Sequence, residues 1–117
     1  MKKRILALGI ALVATALLAG CSSAPDVEPT GHTTTVTVQV QGMSFTPSEI
    51  EVPLGDELVV EFENTGTDLH DIEFGNGEAS ERLNPGETET VNVGIVGEGM
   101  DVWCSVSNHR AMGMEGT

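Results

Sequence analysis

The sequence predicts an all-β domain, a sandwich or a barrel. Three observations carry that expectation: short runs alternate apolar and polar residues, turns rich in Pro and Gly separate them, and no segment shows a helical period. A period of two puts successive side chains on opposite faces, so each run can bury one face and wet the other. Many such runs in a small chain build packed sheets rather than a helical bundle.

The runs follow one another in order. "TTTVTVQVQ" (33–41) sets Val36, Val38 and Val40 on one face. "SEIEV" (48–52) alternates in the same way until Pro53-Leu54-Gly55-Asp56 turns the chain. "ELVVEFEN" (57–64) is the third run, closed by Asn64-Thr65-Gly66. "HDIEF" (70–74) is short and leads into a loop rich in Gly and acid. Asn84-Pro85-Gly86-Glu87 turns into "TETVNVGI" (88–95), and Gly97-Glu98-Gly99 precedes "MDVWC" (100–104).

Upstream of these runs the composition changes. Met1-Lys2-Lys3-Arg4 is basic and Ile5 to Leu18 is almost wholly apolar. That run is shorter than the roughly 20 residues a membrane-spanning helix needs. It leads into "LAGC", which resembles the lipobox of bacterial lipoproteins. The resemblance implies a signal peptide over 1–20 and a lipidated Cys21 as first residue of the mature chain. Residues 21–32, which include "SSAPDVEPTG", read as a flexible tether, and 33–117 as the domain. The expected location is extracytoplasmic, in a periplasm or on a cell surface, touching a bacterial membrane through the lipid anchor alone.

The whole chain carries 18 acidic and five basic residues, a formal charge of −13. Loss of residues 1–20 removes Lys2, Lys3 and Arg4, leaving Arg82 and Arg110 against all 18 acids, a formal charge of −16. Such a body repels phosphate, which argues against nucleic acid and anionic membrane surfaces and favours a protein partner with a basic patch. With Cys21 carrying lipid, Cys104 is a single thiol in an oxidising compartment, a liability unless it is buried or bound.

"CSVSNHRAMGM" (104–114) places that cysteine in a C-x4-H-x4-M array. Thiolate, imidazole and thioether are soft and borderline donors that suit copper in both oxidation states. Zinc gains little from a thioether. A blue-copper centre needs a second imidazole, and His32 and His70 are the candidates. His32 sits at the edge of the tether and reads as a solvated residue, whereas His70 opens a strand just after a turn. Met112 and Met114 both follow His109 closely, so spacing alone leaves two candidate thioethers.

"FTPSEIEVPLG", "NTGTDLHD", "NPGETETVNV" and "CSVSNHRAMGMEG" together resemble the cupredoxins, especially the plastocyanin- and azurin-like domains of bacterial copper lipoproteins. The resemblance covers residues 36–117. It implies an eight-stranded Greek-key sandwich and one type 1 copper held by His70, Cys104, His109 and Met114, while spacing keeps Met112 as the alternative axial ligand. It further implies a monomeric carrier of single electrons at the outer face of a membrane, with His109 as the port to a redox partner. A protein that stores, buffers or hands on copper is the alternative. An enzyme is not expected, because the extra H-x-H and H-C-H copper motifs of multicopper oxidases are missing.

Three departures from the family pattern set further expectations. Ser107-Asn108 replaces Pro-Gly, with Asn108 expected to take the left-handed conformation. Asp71 stands where many members have Asn. It can accept a hydrogen bond from Ser105 but adds negative charge that favours Cu(II) and lowers the reduction potential. The sequence ends at Thr117, so the last strand is expected to be short or truncated and Met114 less firmly held.

Overall fold

In a computed structural model, which describes residues 26–117, the chain forms a sandwich of two β-sheets. The expected signal peptide, Cys21 and residues 22–25 lie outside the described residues. The strands are β1 (Thr33–Gln41), β2 (Ser44–Thr46), β3 (Glu57–Glu63), β4 (Glu73–Phe74), β5 (Thr88–Ile95), β6 (Val102–Trp103) and β7 (Glu115–Gly116). A 3-10 turn, Arg110–Met112, joins β6 to β7. One sheet has the order β2-β1-β3-β5 and the other β4-β6-β7. Only the β1–β3 pair is parallel.

The alternating patterns place the core. Val38 and Val40 of β1, Leu58, Val60 and Phe62 of β3, and Val91 and Val93 of β5 turn inward. They join one cluster with Ile72, Phe74, Val102, Cys104 and Met114, which come from the β4-β6-β7 side. Gly94, with φ of 100°, takes up the register shift opposite Leu58 and Val59, a bulge that a side chain would resist.

Several strands are shorter than the alternation predicts. Residues 48–52 form no strand, and the described residues contain seven strands rather than eight. That segment finds only the chain end to pair with: Ile50 N–H donates to Thr117 O at 2.9 Å, and Thr117 N–H donates to Ser48 O at 3.0 Å. Two bonds tie an edge without making a ladder, while Ile50 and Val52 still pack half-buried on the core. β7 is short, as expected, but this tie secures its far end. At Gly116 an added Cβ would fall 2.0 Å from Ser48 O, so only glycine allows that approach.

The start of the domain is fastened by a buried carboxylate. Asp56 is 6% exposed and accepts hydrogen bonds from Thr30 Oγ1 at 2.6 Å and Thr34 Oγ1 at 2.7 Å. The bond from Thr30, and next that from Thr34, hold its carboxyl below the ordinary carboxylate range. A folded-state pKa below the unfolded one stabilises the protein above the unfolded value of about 3.9, and this contribution is lost as pH falls through the lowered value. Asp56→Asn should therefore melt below the parent near neutral pH, and the gap should close on acidification. Thermal melts across the acid limb test this, and a gap that stays constant to the lowest pH would refute the role given to the carboxylate.

Candidate metal centre

Strand register brings the sequence-predicted donors together. β4 and β6 are antiparallel with Glu73 opposite Trp103, so the entry to β4 and the exit from β6 share one end of the sheet. His70 lies at that entry and Cys104 at that exit. β7 pairs with β6 through Glu115 opposite Trp103, which sets Met114 beside Cys104. Cys104 N–H donates to Met114 O at 3.1 Å, and Met114 N–H donates to His109 O at 3.1 Å. His70 is pinned by a two-bond bridge to Leu83, of 3.1 and 2.8 Å.

Two imidazoles face one sulfur. Cys104 Sγ lies 3.9 Å from His70 Nδ1 and 3.6 Å from His109 Nδ1. The rings are 5.0 Å apart between centroids and tilted by 52°. The three residues' ligand atoms all lie within 4.8 Å of one another, and no other His, Cys, Asp and Glu side chains gather in this way among the described residues. His70 and Cys104 are buried, whereas His109 as a residue keeps part of its surface in solvent.

Burial, reinforced by His109, pushes the His70 pKa down, so its imidazole favours the neutral form with a lone pair to give. Burial pushes the Cys104 thiol up, so without metal it keeps its proton and must release it on binding. One thiolate and two imidazoles around a single point fit one type 1 copper.

The other expected residues are distributed around this set. Met114 is fully buried, while Met112 is 54% exposed. His32 is exposed and outside the cluster. Asp71 is buried, and its carboxylate accepts both the N–H of Ser105, at 2.6 Å, and its hydroxyl. It therefore ties the residue after His70 to the residue after Cys104. The expected left-handed residue is misplaced by one: Ser107, with φ of 51°, takes that conformation rather than Asn108. The turn closes by His109 N–H donating to Val106 O, which makes Ser107 the first of its two central residues. Gly113, with φ of 106°, closes the 3-10 turn and folds the chain back towards Cys104.

Asn64, Arg82 and Arg110, none of them assigned to the site from sequence, complete the surroundings. Asn64 is buried and donates to the carbonyls of Asp68 and Leu83, both at 2.8 Å, while accepting from Gly66 N–H at 3.0 Å. It thus fixes the loop that delivers His70. Arg82 reaches Asp71 at 3.9 Å and donates to Ser105 O at 3.4 Å. Arg110 lies 4.3 Å above the Trp103 ring and pairs with Asp101 and Glu115. Asn64 and Gly66 look like turn residues in the sequence, where nothing signals that Asn64 is buried and bonded.

A family profile described as "Cupredoxin-like domain" matches residues 9–100. The match takes in His70 and ends before Cys104, His109 and Met114. No curated protein matches the chain. Solved structures with a similar fold include reduced auracyanin from Roseiflexus castenholzii (TM-score 0.66, 23% identity, 74% of this chain and 95% of that one). Auracyanin A, a "blue" copper protein from Chloroflexus aurantiacus, is similar as well (TM-score 0.63, 17% identity, 72% and 95%). A blue copper oxidase from Nitrosomonas europaea aligns over 73% of this chain but 37% of its own, at TM-score 0.56 and 20% identity.

Gly66 offers a test of how tightly the first imidazole is held. A Cβ there would meet Val40 Cγ1 at 3.0 Å, His70 Nε2 at 3.2 Å and Asn64 Oδ1 at 3.3 Å. Val40 is packed in the core and Asn64 is fixed by three hydrogen bonds, so the imidazole shares the few tenths of an ångström by which these neighbours must yield. Gly66→Ala should cost about 1–3 kcal/mol, as overpacking usually does. It should also shift the imidazole NMR signals of His70. An unchanged melt together with unchanged signals would show that the loop absorbs the methyl.

Proposed function

The chain belongs to the cupredoxin-like family, and we propose that it carries single electrons through one type 1 copper held by His70, Cys104, His109 and Met114. The observation that carries this reading is the meeting of two Nδ1 atoms and one Sγ at a single point. Copper bound there supplies a one-electron couple. The protein's part is to hold donors that suit both oxidation states, on backbone already bonded in place, so that little rearranges when an electron moves. The partial exposure of His109 supports its role as the port. Ser107, Asn108, Ala111, Met112 and Gly113 around His109 carry no charge, and Arg110 is engaged with Asp101 and Glu115, a rim that suits brief docking. The surrounding carboxylates would steer a partner with a basic patch.

Met114 as the axial ligand is supported by its complete burial and its backbone bonds to both Cys104 and His109. The exposure of Met112 fits the rim better. Storage of copper is the second reading. It draws on extra thioethers, but Met43 and Met100 are engaged in packing against the hydrophobic core. Copper added to the purified domain should give an intense thiolate-to-copper band and fast reversible voltammetry. Weak colour with preferential Cu(I) uptake would favour storage instead. Cys104→Ser should abolish the band. Met114→Leu should shift the potential and spectrum while Met112→Leu changes both far less, and the reverse order would move the axial assignment to Met112.

The N-terminal sequence supports a reading of where the protein acts. A lipidated Cys21 would hold the domain at the outer face of a bacterial membrane, since more than one acyl chain gives stable attachment. The "LAGC" sequence after an apolar run supports this. Cys21→Ala should move the protein from the membrane fraction to the soluble one. A variant that fractionates with membranes as the parent does would remove the anchor from this reading.

A further inference from the structure

We propose that Arg110 is a positioning residue for the metal centre, latching together the immediate neighbours of Cys104, His109 and Met114. Trp103 directly precedes Cys104, Arg110 directly follows His109, and Glu115 directly follows Met114. The guanidinium lies 4.3 Å over the Trp103 ring, its Nε is 3.1 Å from Glu115 Oε1, and its NH2 is 3.5 Å from Asp101 Oδ2. Trp103 and Glu115 are cross-strand partners. The side chain therefore grips the same β6–β7 pairing that sets Cys104 beside Met114. This deepens the copper reading and rests on its choice of ligands.

The local backbone is the reason a latch is useful. β6 and β7 are two residues long, so their ladder is short. The 3-10 turn between them buries none of its residues. Ser107 also holds a left-handed conformation that costs a non-glycine residue energy. Val106 and Met114 are buried at either end of the loop, but Ser107 to Gly113 includes no buried residue, so His109 depends largely on a few backbone bonds. Each contact of Arg110 is weak alone at an exposed position. Three contacts sharing one planar, fork-shaped group reinforce one another, and a lysine could not reproduce them. The described residues contain only two cations, Arg82 and Arg110, and both lie against ligand-bearing segments.

Two variants separate latch from charge. Arg110→Met keeps an unbranched apolar side chain and loses charge and fork, whereas Arg110→Lys keeps the charge and loses only the fork. In the metal-free protein, amide exchange at Cys104 and Met114 should quicken about tenfold in both variants, with Val60 in the core unchanged. In the copper-loaded protein, both variants should show an altered copper hyperfine splitting and a shifted reduction potential. Wild-type spectrum and potential in Arg110→Lys would reduce the role of Arg110 to charge. Unchanged exchange in both variants would remove the latch altogether. If the parent develops no thiolate-to-copper band, the electron-carrier reading fails, while the exchange measurement still decides the latch.

Discussion

The register of three short strands is the constraint on which the metal centre depends. His70 and Cys104 are 34 residues apart in sequence, and they meet because Glu73 lies opposite Trp103. A slip of one residue would turn every side chain of β6 to the other face, removing Cys104 from the imidazoles and Val102 from the core together. The hydrophobic core thus enforces the geometry of the site. Phe74, Val102 and Cys104 are buried in one cluster, so the register that satisfies packing is the one that assembles the donors.

Short strands give a register few hydrogen bonds, and the structure adds ties from outside the ladder. His70 bridges to Leu83, Asn64 holds the Leu83 carbonyl and the loop leading to His70, and Asp71 binds both polar groups of Ser105. The His70–Leu83 and Asp71–Ser105 ties each join a residue at or next to one donor to a different chain segment. A site held in this way pays its ordering cost during folding, before any metal arrives, and the metal then meets donors already in place. The burial that helps packing also keeps His70 neutral and Cys104 protonated, so binding exchanges one thiol proton for a cation.

Charge is arranged unevenly over this frame. Asp71 brings a carboxylate beside the first imidazole, and Arg82 lies 3.9 Å from it. Arg110 is likewise matched by Asp101 and Glu115. Both cations of the described residues are therefore paired at the metal end. The many remaining carboxylates have no such partners nearby and set the long-range field of the domain.

Sequence by itself determined the sheet class, the alternating faces of β1, β3 and β5, and the C-x4-H-x4-M array. These are local properties: a period of two and a donor spacing are written in neighbouring residues. It offered His32 and His70 as the second imidazole and favoured His70 only by its place after a turn and by a family motif, and it overestimated strand length at 48–52, where alternation is present but only Thr117 is available to pair. Tertiary structure decided that His70 faces Cys104, that Ser107 rather than Asn108 takes the left-handed turn, and that Asn64 and Arg110 bind the site's surroundings. Those outcomes depend on which distant segments become neighbours. Hydrogen bonds and burial between residues far apart in the chain are products of the packed sandwich, and no local pattern encodes them.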